Sequence, residues 1–387
     1  MVEDRWLRWL GPGVITIGAL AAIGTAVVAA QERLWDPPAC RGGGAARVAG
    51  TTAVGPPTLE TLGRAPQARL DPLLDPAGTL IGQRLTIGSL AGGASRVIAL
   101  PSESFAAGPF GRLVLVGADD GSTSTLETLD VDSGCASTIA REPAVIRRAT
   151  IALDGATVYE TRVDRASRAD LGVWRRPLDG SGPATRILEP VPADPRFGPT
   201  WSTEFTWSLD GDRLAIQSCG ATACRTRIFE PASGRRESLA DPALGAMIGL
   251  AGDRLVTFRA CRGFPCTLLV VDTGRGDRQV LDDAAGPAVL AGSVTGAWVV
   301  LERRDGLGQR HLMRVDPVSG VTVDLGTIAE DLALDADAGR ERLGTRLPAD
   351  WVLLTPDGSG AASTGTPKPL LRRITDGATR SIDEVTS

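Results

Sequence analysis

Two short phrases alternate from about residue 110 to the C-terminus, and a chain built this way has few folds open to it. In the first phrase an apolar strand runs into an acidic residue, up to three small residues, a glycine and a second strand. It reads Val131-Asp132-Ser133-Gly134, Leu178-Asp179-Gly180, Phe229-Glu230-Pro231-Ala232-Ser233-Gly234, Val271-Asp272-Thr273-Gly274, Val315-Asp316-Pro317-Val318-Ser319-Gly320 and Thr375-Asp376-Gly377. The acid bonds the backbone ahead of it and glycine accepts the positive φ that reverses the chain, so each copy joins two antiparallel strands. The second phrase precedes the first in every unit: a strand, a turn, then a strand of β-branched or aromatic residues. Its copies begin at Gly111-Arg112, Asp154-Gly155, Asp210-Gly211, Gly252-Asp253, Gly296-Ala297 and Asp350-Trp351.

Two phrases make four strands per unit. The acidic positions are 47, 51, 42, 44 and 60 residues apart, near the roughly 40 to 50 residues of a propeller blade. A four-stranded unit repeated six times cannot bury both faces alone, and radial packing leaves only short protected edges. The 47 glycines and 26 prolines fit many turns and short strands. No segment after Gly50 carries a long helical period, and a two-sheet sandwich would not need turn chemistry recurring in phase. The expected fold class is therefore all-β, a β-propeller of four-stranded blades. Arg112 onward accounts for six blades. Between Leu80 and Phe110, Arg84 to Leu90 and Arg96 to Leu100 are strand candidates, so seven blades are preferred and six are possible. Strands from both chain ends joined in one sheet would close the ring and remove an open edge.

One blade carries a more specific signature. Phe205-Thr206-Trp207-Ser208-Leu209-Asp210-Gly211-Asp212-Arg213-Leu214-Ala215-Ile216 resembles the W-S-P-D-G-x-x-[IL]-A-[FY] phrase of TolB-type β-propellers, with Leu209 in place of the usual proline. Ala152-Leu153-Asp154-Gly155 and Thr355-Pro356-Asp357-Gly358 are weaker echoes. The pattern covers about residues 110 to 387. The resemblance implies an extracytoplasmic propeller that binds proteins, and the family also implies propeller domains that guard peptidase active sites.

The N-terminus reads differently. Residues 1–9 form a short tail with Arg5 and Arg8, and Leu10 to Ala30 runs 21 residues without a charge. A helix of that length spans roughly 31 Å, about one hydrocarbon core. Arginines ahead of the span place residues 1–9 in the cytoplasm and the remainder outside. Val28-Ala29-Ala30 also satisfies the small-residue rule for signal cleavage, so residues 10–30 are a transmembrane anchor or a signal segment. The anchor is preferred because the run exceeds a typical secretory core. Residues 31–79, rich in Pro, Gly, Ala and Arg, read as an extracytoplasmic linker, and 80–387 as the propeller. The expected location is the cell membrane, single-pass, or the exterior if cleavage follows Ala30.

The six cysteines support export. Cys219 with Cys224 and Cys261 with Cys266 share a separation of five at equivalent places in adjacent units. Across a four-residue loop two cysteines are close enough to bridge, for about 1 to 2 kcal/mol each, less than the roughly 3 of a 15-residue loop. Cys40 and Cys135 remain, and an even count suggests that they pair and tie the linker to the first blade. A four-cysteine zinc site needs closer spacing.

Catalytic signals are sparse. His311 is the only histidine, with no nucleophile motif beside it, and reads as a surface or blade-packing residue. Asp119-Asp120, Glu330-Asp331 and Asp335 with Asp337 are carboxylate pairs whose facing geometry sequence does not give. Asp335-Ala336-Asp337-Ala338-Gly339 lacks the later ligands of a calcium loop. Trp207, Trp298 and Trp351 read as core, and Trp6, Trp9 and Trp35 as membrane-boundary residues. With net charge −5 and scattered arginines, no basic footprint marks a nucleic-acid binder, and no cofactor is expected. The expectation is a non-catalytic protein-interaction or scaffold module. Its candidate partner surface lies on the longer inter-strand segments, at Arg162, Arg165, Arg168, Arg196, Asp335, Asp337 and Arg340. Alternatives are a ligand binder, hydrolase or lyase using channel carboxylates with or without a divalent cation, and an accessory subunit of a membrane complex.

Overall fold

The computed structural model describes residues 66–382 except 90–95, 111, 153, 193–201, 221–223, 262, 294–295, 336–349 and 357–368. The segment 10–30 and Cys40, Arg196, Asp337 and Arg340 lie outside the described residues. Within them the chain forms seven antiparallel sheets in sequence order, six of four strands and a first one of three. Blade 1 holds β1 (Pro66–Leu74), β2 (Leu80–Ser89) and β3 (Arg96–Leu100). Blade 2 holds β4 (Phe105–Phe110), β5 (Leu113–Asp119), β6 (Ser124–Asp130) and β7 (Ala136–Glu142), and blade 3 holds β8 (Val145–Ile151), β9 (Thr157–Val163), β10 (Asp170–Pro177) and β11 (Thr185–Leu188). In blade 4 are β12 (Ser202–Trp207), β13 (Leu214–Cys219), β14 (Cys224–Phe229) and β15 (Arg236–Leu239); in blade 5, β16 (Leu244–Ala251), β17 (Arg254–Arg259), β18 (Cys266–Asp272) and β19 (Arg278–Ala285). Blade 6 has β20 (Ala288–Ser293), β21 (Gly296–Arg304), β22 (Arg310–Val315) and β23 (Thr322–Thr327), and blade 7 has β24 (Leu332–Leu334), β25 (Trp351–Pro356), β26 (Leu370–Arg373) and β27 (Thr379–Ser381). The first described strand, β1, starts at Pro66, inside the stretch read as linker.

Inner strands β4, β8, β12, β16 and β20 neighbour one another in turn, which is the radial order of a propeller. Because strands alternate in direction, turns between first and second and between third and fourth strands share one end of the molecule, the lower face. Turns between second and third strands, and the links between blades, share the upper face. Both repeated phrases fall on the lower face. In the third-to-fourth turns, Gly134, Gly234, Gly276 and Gly320 donate their amides to the carbonyls of Asp130, Glu230, Asp272 and Asp316 at 2.7 to 2.8 Å, and each glycine has φ between +68° and +77°. In blade 2 the capping acid is Asp130, which accepts from the Ser133 amide at 2.8 Å, whereas Asp132 meets Arg112 at 2.7 Å.

Blade 1 departs from the pattern. β1 packs against β4, the inner strand of blade 2, as β5, the second strand of blade 2, packs against β8, so β1 holds the second position, β3 is the outermost strand and the position without a described strand is the inner one. The Arg96 guanidinium at the start of β3 lies against Gly134 on the lower face of blade 2, which agrees. Every sheet is drawn, among the described residues, from one continuous stretch of chain. Among the described residues no sheet mixes strands from the two ends, so the closure expected from strand exchange is not found there.

Six buried apolar clusters each join two consecutive blades, from Leu85, Val114 and Leu129 between blades 1 and 2 to Val300, Leu312 and Leu354 between blades 6 and 7. Each fully buried leucine contributes roughly 1.5 to 3 kcal/mol. Polar side chains couple the same neighbours: Ser124, Gln217 and Glu302 accept the amides of Ile146, Met247 and Leu334, in the inner strand of the next blade, at 3.0, 2.8 and 2.6 Å. For Ile146 and Met247 the inner strand is irregular at that point, so an amide released from the ladder finds a buried partner.

Candidate functional site on the upper face

The upper face is made of loops that share no repeated phrase, and several of those described are pinned by carboxylate-to-amide bonds or disulfides. In blade 2, Asp120 accepts the amides of Ser122 and Thr123 at 2.8 and 2.7 Å; with the Ser122 hydroxyl these bonds hold its carboxyl down at about 2. In blade 4 the loop after β13 is closed by the Cys219–Cys224 disulfide, whose cysteines are direct partners in the β13/β14 ladder with Cα atoms 4.0 Å apart. In blade 5 the loop after β17 is closed by Cys261–Cys266, Cα atoms 6.0 Å apart. Cys261 lies beyond the end of β17, so this bridge staples the loop itself. Phe264 stands in that loop 55% exposed, its ring edge-on to buried Phe258 at 5.4 Å between centroids. In blade 6, Asp305 accepts the amides of Leu307 and Gln309 at 2.9 and 2.8 Å, and Leu307 projects from this turn 93% exposed. Cys135 is also disulfide-bonded.

The residues expected on a partner surface have mixed fates. Arg162 is 7% exposed and is not a surface residue. Its guanidinium bonds Glu142 at 3.0 Å and Glu160 at 2.7 Å and lies 4.4 Å over the Trp174 ring. Arg176 bonds the same two carboxylates, so two arginines and two glutamates neutralise one another between blades 2 and 3. Arg165 is on the upper face but is engaged with Asp119 through two bonds of 2.8 Å. Burial opposes the Asp119 charge, yet Arg165, the Gly121 amide and Ser124 outweigh it and hold the carboxyl below its ordinary value. Arg168 is exposed, adopts φ 58° and reaches Glu103 at 3.6 Å. Asp335 follows the first strand of blade 7 and therefore belongs to the lower face, opposite the arginines.

On the lower face, a cleft of 430 Å³ opens between blades 5 and 6, lined among others by Asp253, Arg254, Asp272, Trp298, Asp316 and Val318. The Arg275 amide in first place holds Asp272 below its ordinary value, and the Val318 amide does the same for Asp316; Asp253 reaches Arg213 at 3.0 Å. These carboxylates serve the turns and the neighbouring blade. Trp298 is half-buried, packs against the apolar cluster between blades 6 and 7, lies 4.3 Å under the Arg314 guanidinium and also lines the cleft, whereas Trp207 and Trp351 are buried as expected. His311 lies between Asp324, 2.9 Å from Nδ1, and Asp305, 3.6 Å from Nε2. Among the described residues no group of three His, Cys, Asp or Glu side chains is placed to hold a metal ion, and no helix is long and apolar enough to cross a membrane.

The comparisons with known proteins bear on the fold. No protein-family model matches the sequence, and no curated protein is similar to it in sequence. The solved structures similar to it include TolB proteins and a β-propeller domain. TolB from Acinetobacter baumannii is 14% identical over 72% of this chain, with a TM-score of 0.43, and the chain spans 66% of that protein's length. An oligogalacturonate lyase in complex with manganese is 12% identical over 81% of this chain and 84% of its own, TM-score 0.49. The β-propeller domain of the Trilobed protease from Pyrococcus furiosus is 12% identical over 82% of this chain and 96% of its own, TM-score 0.44. Likeness at this level gives no account of activity.

Phe264 and Leu307 escape a reading by motif. Phe264 lies in the Arg-Gly-Phe-Pro loop between paired cysteines, where the cysteines draw attention to the staple. The available signal is the contrast itself: large apolar residues in turns that ought to be polar.

Proposed function

We propose that this chain is a membrane-anchored, extracytoplasmic β-propeller that binds protein partners through its upper face and has no catalytic role of its own. The observation that carries the reading is the pair of disulfide-closed loops standing side by side on that face, in blades 4 and 5. Disulfides persist in oxidising compartments, which supports export, and loops already fixed in shape lose little entropy when a partner docks. Residues 10–30 supply the anchor in this reading, with residues 1–9 in the cytoplasm. The lower face spends its acidic residues on repeated turns, which leaves the upper face as the one with sequence of its own.

Photo-crosslinking in intact cells tests this. A benzoylphenylalanine placed at Ala77, Ser167 or Phe264 on the upper face should give discrete adducts to other proteins, whereas the same residue at Asp154, Ser233 or Gly276 on the lower face should not. Adducts equally from both faces, or from neither, would overturn the reading. A membrane-impermeant alkylating reagent should label the reduced cysteines of whole cells if the propeller is outside the cytoplasm.

A further inference from the structure

Cys135 closes the third-to-fourth turn of blade 2, where its carbonyl accepts the Asp130 amide at 3.0 Å, and so it stands on the lower face. Its sulfur is disulfide-bonded. The chain has six cysteines, and Cys219, Cys224, Cys261 and Cys266 are taken up by the two loop bridges. Elimination within the chain leaves Cys40 as the partner. A second tie falls on the same face. β1 runs in the same direction as β3, since both pair antiparallel to β2, and β3 starts at Arg96 against Gly134 on the lower face. The chain therefore enters β1 at Pro66 from the lower face as well.

What these ties do depends on length. Ala30 ends the uncharged run, and Cys40 follows ten residues later. Ten residues reach at most about 35 Å when fully extended, whereas the chain from Ala30 to Pro66 reaches about 125 Å. The longer tether lets either face meet the bilayer. The shorter one does not do so freely: with the molecule turned over, it would first have to run past the thickness of a blade. That is about 23 Å for a seven-residue strand such as β5, and with the loops added it uses up most of the reach. We propose that a Cys40–Cys135 disulfide shortens the tether and holds the lower face toward the membrane, so that the upper face, with its disulfide-closed loops, is presented outward to partners beyond the bilayer. This rests on the reading of residues 10–30 as a retained anchor. The lower face suits the position. Its turn carboxylates, Asp130, Asp272 and Asp316 among them, accept amides of their own turns, and they keep the face charged and wet beside the headgroups rather than inserted among them.

The bond is tested first. Trypsin digestion of the full-length chain without reductant should yield Leu34–Arg41 joined to Leu113–Arg141, and reduction should part them. Absence of that species, or Cys135 joined to any cysteine other than Cys40 of the same chain, overturns the proposal. Orientation is read in proteoliposomes carrying an acceptor dye on the headgroups. A fluorescent amino acid at exposed Ala232, on the lower face, should transfer energy to the dye more efficiently than the same donor at exposed Ala166 on the upper face. Inserting about twenty Gly and Ser residues after Arg33, ahead of Cys40, should cut transfer from Ala232 by about half or more, whereas the same insertion after Gly43 should leave it unchanged. In the double variant Cys40→Ser, Cys135→Ser the two insertions should act alike. The insertions in the parent leave every cysteine in place, so their comparison stands even if the double variant fails to fold. Equal transfer from the two faces, stronger transfer from the upper face, or insertions that act alike in the parent would overturn the proposal. A chain recovered free of the membrane, cleaved after Ala30, would remove the anchored reading and this one with it; a missing linked peptide in a membrane-bound chain would remove this one alone.

Discussion

Glu160 has no exposed surface, and it is tolerated because Arg162 and Arg176 bond both of its oxygens. Glu142 completes the set from the neighbouring blade, so the group stitches blade 2 to blade 3. Removing one partner leaves a buried charge short of compensation, which typically costs 3 to 5 kcal/mol. Arg176→Met should lower stability by about 3 kcal/mol in urea denaturation, and a loss under about 1 kcal/mol would show the set to be dispensable. A second residue-scale expectation concerns acid. Asp120 is held at about 2 in the folded chain against an ordinary 3.8, so its contribution is complete above pH 4 and fades as pH falls toward 2. The Thr123 amide resonance, whose proton Asp120 accepts, should titrate in that window; a midpoint near 4 would contradict the bond. Cysteine pairs five residues apart were legible in sequence because both partners lie in one loop. The Glu–Arg set was not, because its members come from β7, β9 and β10 and meet only after two blades dock. For the same reason Arg162 read as surface.

At the scale of strands and turns, the copies of the first repeated phrase marked the third-to-fourth turn of every blade from the second to the seventh, with the capping acid of blade 2 at Asp130 rather than Asp132 and the positive-φ glycine of blade 5 at Gly276 rather than Gly274. They did so because turn chemistry is local: an acid bonds amides two or three residues ahead. The inner strands were harder to read, since their irregularities are paired with side chains from another blade. Gly117 shows how tight this packing is. It faces Phe105 across the β4/β5 ladder, and a methyl group at Gly117 would fall 2.0 Å from the phenylalanine ring. Gly117→Ala should therefore cost about 1 to 3 kcal/mol through displacement of the ring, measurable as a drop in thermal midpoint. Phe105→Leu, which makes room, should recover part of the loss. A neutral Gly117→Ala would mean the ring moves freely.

For the whole molecule, the seven-sheet count follows from the period together with the strands before residue 110, while the three-strand first blade was not legible because the phrases begin only with blade 2. The six apolar clusters form a series that runs from blade 1 to blade 7, and among the described residues none joins blade 7 back to blade 1. Among the described inner strands, that of blade 7, Leu332–Leu334, is the shortest. Opening should therefore begin at this seam. Hydrogen exchange should find the amides of β1 and β25 exchanging well before those of β13 and β17; uniform protection around the molecule would show that the seam is sealed.

Among the described residues, each sheet from the second to the seventh is drawn from one continuous stretch of chain, and its hydrogen bonds join strands that are near in sequence, a contact pattern associated with rapid folding. A polypeptide arranged like this has no need to wait for its last residues before it can begin to set. Delivered from one end, it can condense a sheet at a time, each new one laid against a finished template, with only the newest edge open to unwanted company.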